Sequence, residues 1–428
     1  MATFKIVEHV IPGQHIREYY HSVKGRQEAP VQLAIKQYIP LDRPEPIPDN
    51  AVTIIGTHGN GSPKVSYAIN TAITGCGGEL FEPFWQRLSI QLQKQGVPLR
   101  AIWIADIANQ GASGILNEDI RGDPNHWHDH SRDLLHMVNH FRDEIPRPVI
   151  GVGHSMGCAQ LVHLSILHPR LLSSLLLYEP VILGDNTIKT SPAGFIARRK
   201  DLWKSREEAE AYLRKRLTWH PEVVDRYIQF GLRSTPSRLY NSETAPNLST
   251  SAVTLSTTRY QEAMGYAIPN LEPEASGLDP WLLPGWSDKQ RDDIIGRPEA
   301  WVAMELLPFV RPSVFWVFGT KSYLSWPESQ DEKMQKTGTG VGGSGGAKRG
   351  MVEKAVLEGA SHNVILEDLD WSADVGSEWV KRWFKNWLAD EQKLAGYQSK
   401  ISDSVTGKAS EASLSAWSQT GQTGRPKL

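Results

Sequence analysis

Cysteine is almost missing from this chain: its 428 residues include two, Cys76 and Cys158. Two thiols cannot build a disulfide framework, and so low a usage suits a reducing compartment rather than secretion. Net charge is nearly missing as well. The 46 basic and 48 acidic side chains leave −2 with histidine neutral, which gives no support for a strong electrostatic hold on nucleic acid or an anionic membrane. No run of about 18 apolar residues exists to span a bilayer. The start, Met-Ala-Thr-Phe-Lys-Ile-Val-Glu-His, has neither the basic opening nor the apolar centre of a signal peptide, so none is expected. With 40% hydrophobic and 22% charged residues, disorder of the whole chain is excluded and a large core is expected.

Short apolar runs rich in β-branched residues lie at 31–38, 51–55, 101–105, 148–152 and 174–178, and each reads as a strand. Helical patterns at 82–95 and 128–141 separate the later ones. That alternation predicts an α/β fold, a mostly parallel sheet with helices on both faces. From about 185 to 310 the pattern turns to amphipathic helices broken by Pro- and Gly-containing turns, with no strong strand. Strand character returns at 313–318 and 351–357, and a Trp-rich helix follows at 374–392. The expected organisation is an α/β core at 1–184 and 311–395, a helical cap at 185–310 and a flexible tail at 396–428. The Gly-rich stretch at 337–350 contains Gly338, Gly340 and Gly343 in dinucleotide-binding spacing. It has no strand before it and no helix start after it, so it is read as a flexible surface loop.

Chemistry concentrates at Gly153-His154-Ser155-Met156-Gly157, between a strand and an apolar helical stretch. In that context Gly-x-Ser-x-Gly holds a serine on a tight strand-to-helix turn with its hydroxyl exposed at the sheet end. A serine hydroxyl needs a base, and the base needs an orienting carboxylate. Four histidines follow Ser155: His163, His168, His220 and His362. The first two belong to the helix leaving the elbow and His220 precedes a proline in the cap. His362 follows a strand end, where ligands meet parallel sheets, and is the candidate base. A carboxylate is missing where one is usual, after the strand at 313–318; the next acids are Glu328 and Asp331. Glu179 ends an apolar strand one step earlier and is preferred as the orienter, with Glu328 second. The Met156 amide and, from the loop Thr57-His58-Gly59-Asn60-Gly61-Ser62, the Asn60 amide are the candidate oxyanion donors. His58 is read as holding that loop, with contact to substrate a further possibility, and Trp203, Trp219, Trp281 and Trp286 are candidates for an apolar pocket. His126, His128, His130, His136 and His140 match no hydrolase metal motif and read as a polar helix face, so no metal or other cofactor is expected. Cys158 reads as a small buried residue.

Together these residues resemble the α/β-hydrolase superfamily, and more narrowly the fungal peroxisomal hydrolases of toxin and mycophenolic acid biosynthesis. The segments that carry the resemblance are Thr57-His58-Gly59-Asn60-Gly61, Ala105-Asp106-Ile107, the Gly153 to Gly157 elbow, Tyr178-Glu179-Pro180-Val181 and Gly359-Ala360-Ser361-His362-Asn363. The resemblance independently places the acid at Glu179, where a relative has the shorter Asp, and implies hydrolysis of an acyl-CoA thioester in secondary metabolism. Nine basic residues against four acidic ones between Lys189 and Arg216 are compatible with CoA phosphates. Pro426-Lys427-Leu428 looks like a variant of the Ser-Lys-Leu address read by the peroxisomal import receptor, which implies peroxisomal localisation, with the cytoplasm as the alternative. A carboxylesterase or lipase acting on an oxygen ester, and a non-catalytic binding protein on the same fold, remain the alternatives. No nucleic-acid partner and no membrane span are expected.

Overall fold

The computed structural model describes residues 3–60, 78–122, 124–184, 191–269, 295–399 and 407–420. Cys76, Gly61, Ser62, Lys189, Trp281, Trp286 and Pro426 to Leu428 lie outside them. The chain divides into two compact units, residues 1–381 and residues 382–428.

An eight-stranded sheet organises the first unit. Its strands are β1 (Phe4–Pro12), β2 (Gln32–Pro40), β3 (Val52–Thr57), β4 (Leu99–Ala105), β5 (Val149–His154), β6 (Ser174–Tyr178), β12 (Ser313–Gly319) and β13 (Val352–Leu357). Their spatial order is β1-β2-β4-β3-β5-β6-β12-β13. From β4 to β13 every neighbouring pair is parallel, whereas β1 and β2 pair antiparallel and β2 joins β4 antiparallel. The central strands β3, β5, β6 and β12 are buried along their whole length, and edge strand β13 alternates. Continuous burial requires cover on both faces. The side chains of β6 show that cover directly. Leu175 and Leu177 enter one core with Leu134 and Met137 of α3 (Trp127–His140) and Leu161 and Leu164 of α4 (Met156–Leu167). Tyr178 points the other way, edge-on to Phe84 of α1 (Glu82–Lys94), and its hydroxyl donates to the Ser372 carbonyl at 2.8 Å.

Four expectations change. β1 was not anticipated; its apolar residues are scattered, and the antiparallel register with β2 decides it. The segment between β6 and β12 is not purely helical. Besides α5 (Ala193–Ile196), α6 (Arg206–Arg216), α7 (Pro221–Phe230) and α8 (Arg259–Tyr266), it forms a small antiparallel sheet in the order β7-β9-β8, from Leu202–Trp203, Val253–Leu255 and Leu232–Ser234. A further pair joins β10 (Ile268–Pro269) to β11 (Ile295–Gly296). Strands of two or three residues are too short to repeat the two-residue alternation of a strand, so only packing reveals them. The Gly-rich stretch at 337–350 is not loose: Gly338, Gly340 and Ser344 donate their N–H groups to the carbonyls of Leu307, Pro308 and Val310 at 2.7–3.0 Å. The Trp-rich helix extends over Leu369–Gln398, and the tail contains a helix at Glu411–Thr420, whose start is capped by Ser410 accepting from the Ser413 N–H at 3.1 Å.

Candidate active site

Parallel strands bring their C-terminal ends to one edge of the sheet, and five of them deliver the candidate residues there. β5 ends at His154 and α4 starts at Met156, so Ser155 alone makes the turn, with φ +57° and ψ −120°. A non-glycine residue in that region carries strain of about 1–3 kcal/mol. Close packing holds it: a Cβ on Gly157 would come 2.7 Å from the Thr57 carbonyl oxygen, and one on Gly59 would come 2.9 Å from the Ser155 Cβ. Glycine at 157 lets α4 start against β3, and glycine at 59 lets the loop after β3 lie against the serine.

Ser155, His362 and Glu179 are 3%, 4% and 0% exposed and form one line of hydrogen bonds. The Ser155 hydroxyl donates to His362 Nε2 at 2.9 Å, and His362 Nδ1 faces Glu179 Oε2 at 3.3 Å. With hydrogen on Nδ1 both contacts are satisfied, leaving Nε2 as the acceptor of the serine proton. Glu179 itself sits at φ +48°, just past β6, its N–H donating to the Val317 carbonyl at 2.8 Å. Glu328 is exposed on the helix Pro327–Lys336 and takes no part in the line.

The loop after β12, which lacks the usual acid, does something else. The Gly319 N–H donates to Glu179 Oε1 at 2.6 Å, while the Ser322 and Ser325 hydroxyls both donate to Oε2. A buried carboxylate without such donors would be costly. These serines were missed. The signal was available, since a loop that lacks the expected acid but carries hydroxyls can serve an acid arriving from the next strand.

His154, the variable residue of the elbow, was also missed. Its Nε2 donates to the His362 carbonyl oxygen at 2.9 Å and so fixes the backbone from which the base projects. Burial, with the adjacent His362 imidazole, drives its pKa down to about 3, so the ring is a neutral donor. His58 behaves as a loop holder: Nδ1 donates to the Gly59 carbonyl at 3.0 Å and Nε2 accepts from the Ile107 N–H at 3.2 Å. Met156 opens α4, whose N-terminus favours negative charge, and Asn60 follows the glycine that touches Ser155.

Other candidates are not brought to this line. Trp203 packs against Tyr212 and Trp219 against Tyr227, both within the segment between β6 and β12. At least four of the nine basic residues between Lys189 and Arg216 are engaged within the segment: Arg199 pairs with buried Glu262, Lys200 with Glu208, and Arg214 with Glu210 and Asp225, while Arg206 donates to two carbonyls. The histidines of α3 do not form a polar face. His128 and His130 are buried with Asp129 and Asp133, and only His136 and His140 are exposed. Among the described residues no group of three His, Cys, Asp or Glu could hold a metal ion. Cys158 is buried, as expected.

Residues 57–375 match the model of the alpha/beta hydrolase family. The chain belongs to that family. It is a hydrolase, similar to the type I acyl-CoA thioesterase mpaH of Penicillium brevicompactum, 35% identical over 402 residues that make up 89% of this chain and 88% of the relative. It also resembles the abhydrolase domain-containing protein AFT2-1 of Alternaria alternata, 27% identical over 55% of this chain and 84% of the relative. Among solved structures, the peroxisomal alpha-beta-hydrolase Lpx1 of Saccharomyces cerevisiae superposes with a TM-score of 0.66 at 16% identity, covering 100% of both chains. That likeness supports the fold.

Proposed function

We propose that this hydrolase cleaves an acyl-CoA thioester to the free acid and CoA through an acyl-enzyme on Ser155. One observation carries the reading: the Ser155 hydroxyl lies 2.9 Å from an imidazole nitrogen whose ring is backed by a buried carboxylate. Ser155 Oγ attacks the acyl carbonyl as its proton passes to His362 Nε2. Glu179, held by Gly319, Ser322 and Ser325, orients the ring and stabilises the imidazolium that forms. The Met156 and Asn60 amides receive the oxyanion. The imidazolium then returns its proton to the departing CoA sulfur, and the same base activates water to release the acid.

The thioester substrate is favoured by the relatives named acyl-CoA thioesterases at 33–35% identity. Residues 185–310 serve as the cap over the acyl chain, and the fungal secondary-metabolite setting rests on the sequence resemblance described above. Pro426 to Leu428 would direct import into peroxisomes, in keeping with the likeness to the peroxisomal hydrolase Lpx1. A panel of acyl-CoA esters with free-thiol detection, set beside matched ethyl esters, tests the substrate class. Thiol release lost in Ser155→Ala is expected; turnover of the oxygen esters alone would replace the thioesterase reading with a carboxylesterase.

A further inference from the structure

Asn60 is gripped by a helix that belongs to the segment inserted between β6 and β12. The Asn60 side-chain Nδ2 donates to the Glu262 carbonyl at 3.0 Å, and its Oδ1 accepts from Gln110 Nε2 at 2.7 Å. The Tyr266 hydroxyl donates to the Asn60 main-chain carbonyl at 2.8 Å. Both polar atoms of the side-chain amide and the main-chain oxygen are therefore engaged, and among the described residues the Asn60 N–H has no acceptor. That N–H belongs to the Gly59–Asn60 peptide, whose oxygen accepts from His58 Nδ1 at 3.0 Å; because the amide unit is planar and trans, the N–H points away from that oxygen, while α8 holds Asn60 by its side chain and its own carbonyl.

The approach between the two elements is as close as chemistry permits. A Cβ on Gly265 would overlap the Asn60 side-chain amide, so glycine is required where α8 crosses the loop. α8 is itself fastened at both ends. Thr258 caps its start by accepting from the Gln261 N–H at 3.2 Å. At its end, the Trp127 indole donates to the Gly265 carbonyl at 3.2 Å, and the Arg297 guanidinium donates to the Met264 carbonyl. Glu262 is fully buried in an ion pair with Arg199, which fixes the middle of the helix. Burial pushes the Tyr266 phenol well up, so it stays a donor.

We propose that α8, through Tyr266 on the Asn60 carbonyl, the Glu262 carbonyl on its side chain and Gly265 at the point of contact, holds Asn60 in the position from which its N–H is presented, and thereby makes the inserted segment a positioning part of the oxyanion site. This rests on the serine-hydrolase reading above. An insertion that aims an amide must hold its residue before charge develops, since donors stabilise an oxyanion only when pre-oriented.

The test uses the full-length enzyme with Tyr266→Phe and Gly265→Ala, and Tyr260→Phe as a control, because Tyr260 is exposed on the same helix and bonds Arg259 instead. The readouts are kcat and KM on an acyl-CoA substrate, and affinity for a trifluoromethyl ketone of matched acyl chain, which forms an oxyanion on the serine. Removing an oxyanion donor outright costs about 100- to 1000-fold in kcat, and misplacement by about 1 Å costs on the order of 100-fold. Tyr266→Phe is expected to lower kcat roughly 10- to 100-fold, Gly265→Ala by at least as much, with ketone affinity falling in step, KM unchanged and the control unaffected. Unchanged kcat and ketone affinity in Tyr266→Phe, or a rise in KM alone, would overturn the proposal. If the parent enzyme forms no Ser155-dependent ketone adduct, the serine-hydrolase reading fails instead, so the two failures are distinct.

Discussion

His362 and His130 are both buried, 4% and 0% exposed, yet they live in opposite circumstances. Each ring nitrogen of His362 has a partner, Ser155 on one side and Glu179 on the other. Neither ring nitrogen of His130 has one among the described residues, and its neighbour is another neutral imidazole, His58, with ring centroids 6.3 Å apart. His128 and His163 stack nearby at 3.8 Å with unpartnered nitrogens of their own. Burial alone does not make an imidazole a base. A partnered one can take a proton because a carboxylate is waiting to stabilise the charge, whereas a partnerless one can only resist it.

Replacing each ring by an apolar one should break the comparison most sharply. His362→Leu should lower turnover by about 10⁴-fold or more, as loss of the base does in serine hydrolases, measured by thiol release; His130→Leu should leave turnover near the parent value. Glu179→Gln should fall close behind, by about 10⁴-fold, because an amide favours the wrong ring tautomer. Circular dichroism would verify that the variant is folded. Ser322→Ala removes one hydrogen bond to a charged group, worth about 1.5–3 kcal/mol, so a drop in kcat of roughly 10- to 100-fold is expected. A variant at parent rate would mean that Gly319 and Ser325 suffice to hold Glu179.

The smallest effect is on stability and depends on pH. Burial holds His130 and His128 well below their ordinary value and lowers His163 to about 4. A depressed histidine is neutral in the folded protein, so its contribution is intact above the unfolded pKa of about 6.5 and is lost as pH falls toward the folded value. Asp106 and Asp129, raised by burial to about 7, tilt stability the other way, so the measurement must be a difference. Below about pH 6.5 the parent should lose stability relative to His130→Leu by about 1.4 kcal/mol per pH unit, read by urea denaturation between pH 7 and pH 5. Equal slopes would place a proton or a partner on His130 that the structure does not show.

Ser155, His362 and Glu179, which the structure brings into one line of hydrogen bonds, could be named as candidates from the chain because each sits next to a feature that is local: a Gly-x-Ser-x-Gly turn, a strand end, an apolar run closed by a carboxylate. The parallel sheet was legible for the same reason, since each of β3 to β6 carries its own apolar run. Ser322 and Ser325 were illegible as partners of Glu179 because they lie more than one hundred residues from it and gain meaning only when β6 and β12 become neighbours. The α3 histidines misled, because a helix segment dense in His and Asp looks solvated until its surroundings are known.

Local sequence thus determined which atoms are the candidates and on which strand ends they stand, since strand periodicity and the elbow motif act over a few residues. Only the tertiary structure decided what surrounds them: the two serines that keep a carboxylate in place, the imidazole that fixes a backbone carbonyl, and the inserted helix that grips Asn60. Those depend on segments distant in the chain meeting at hydrogen-bonding range, where a displacement of about 1 Å changes the outcome and no periodicity records it.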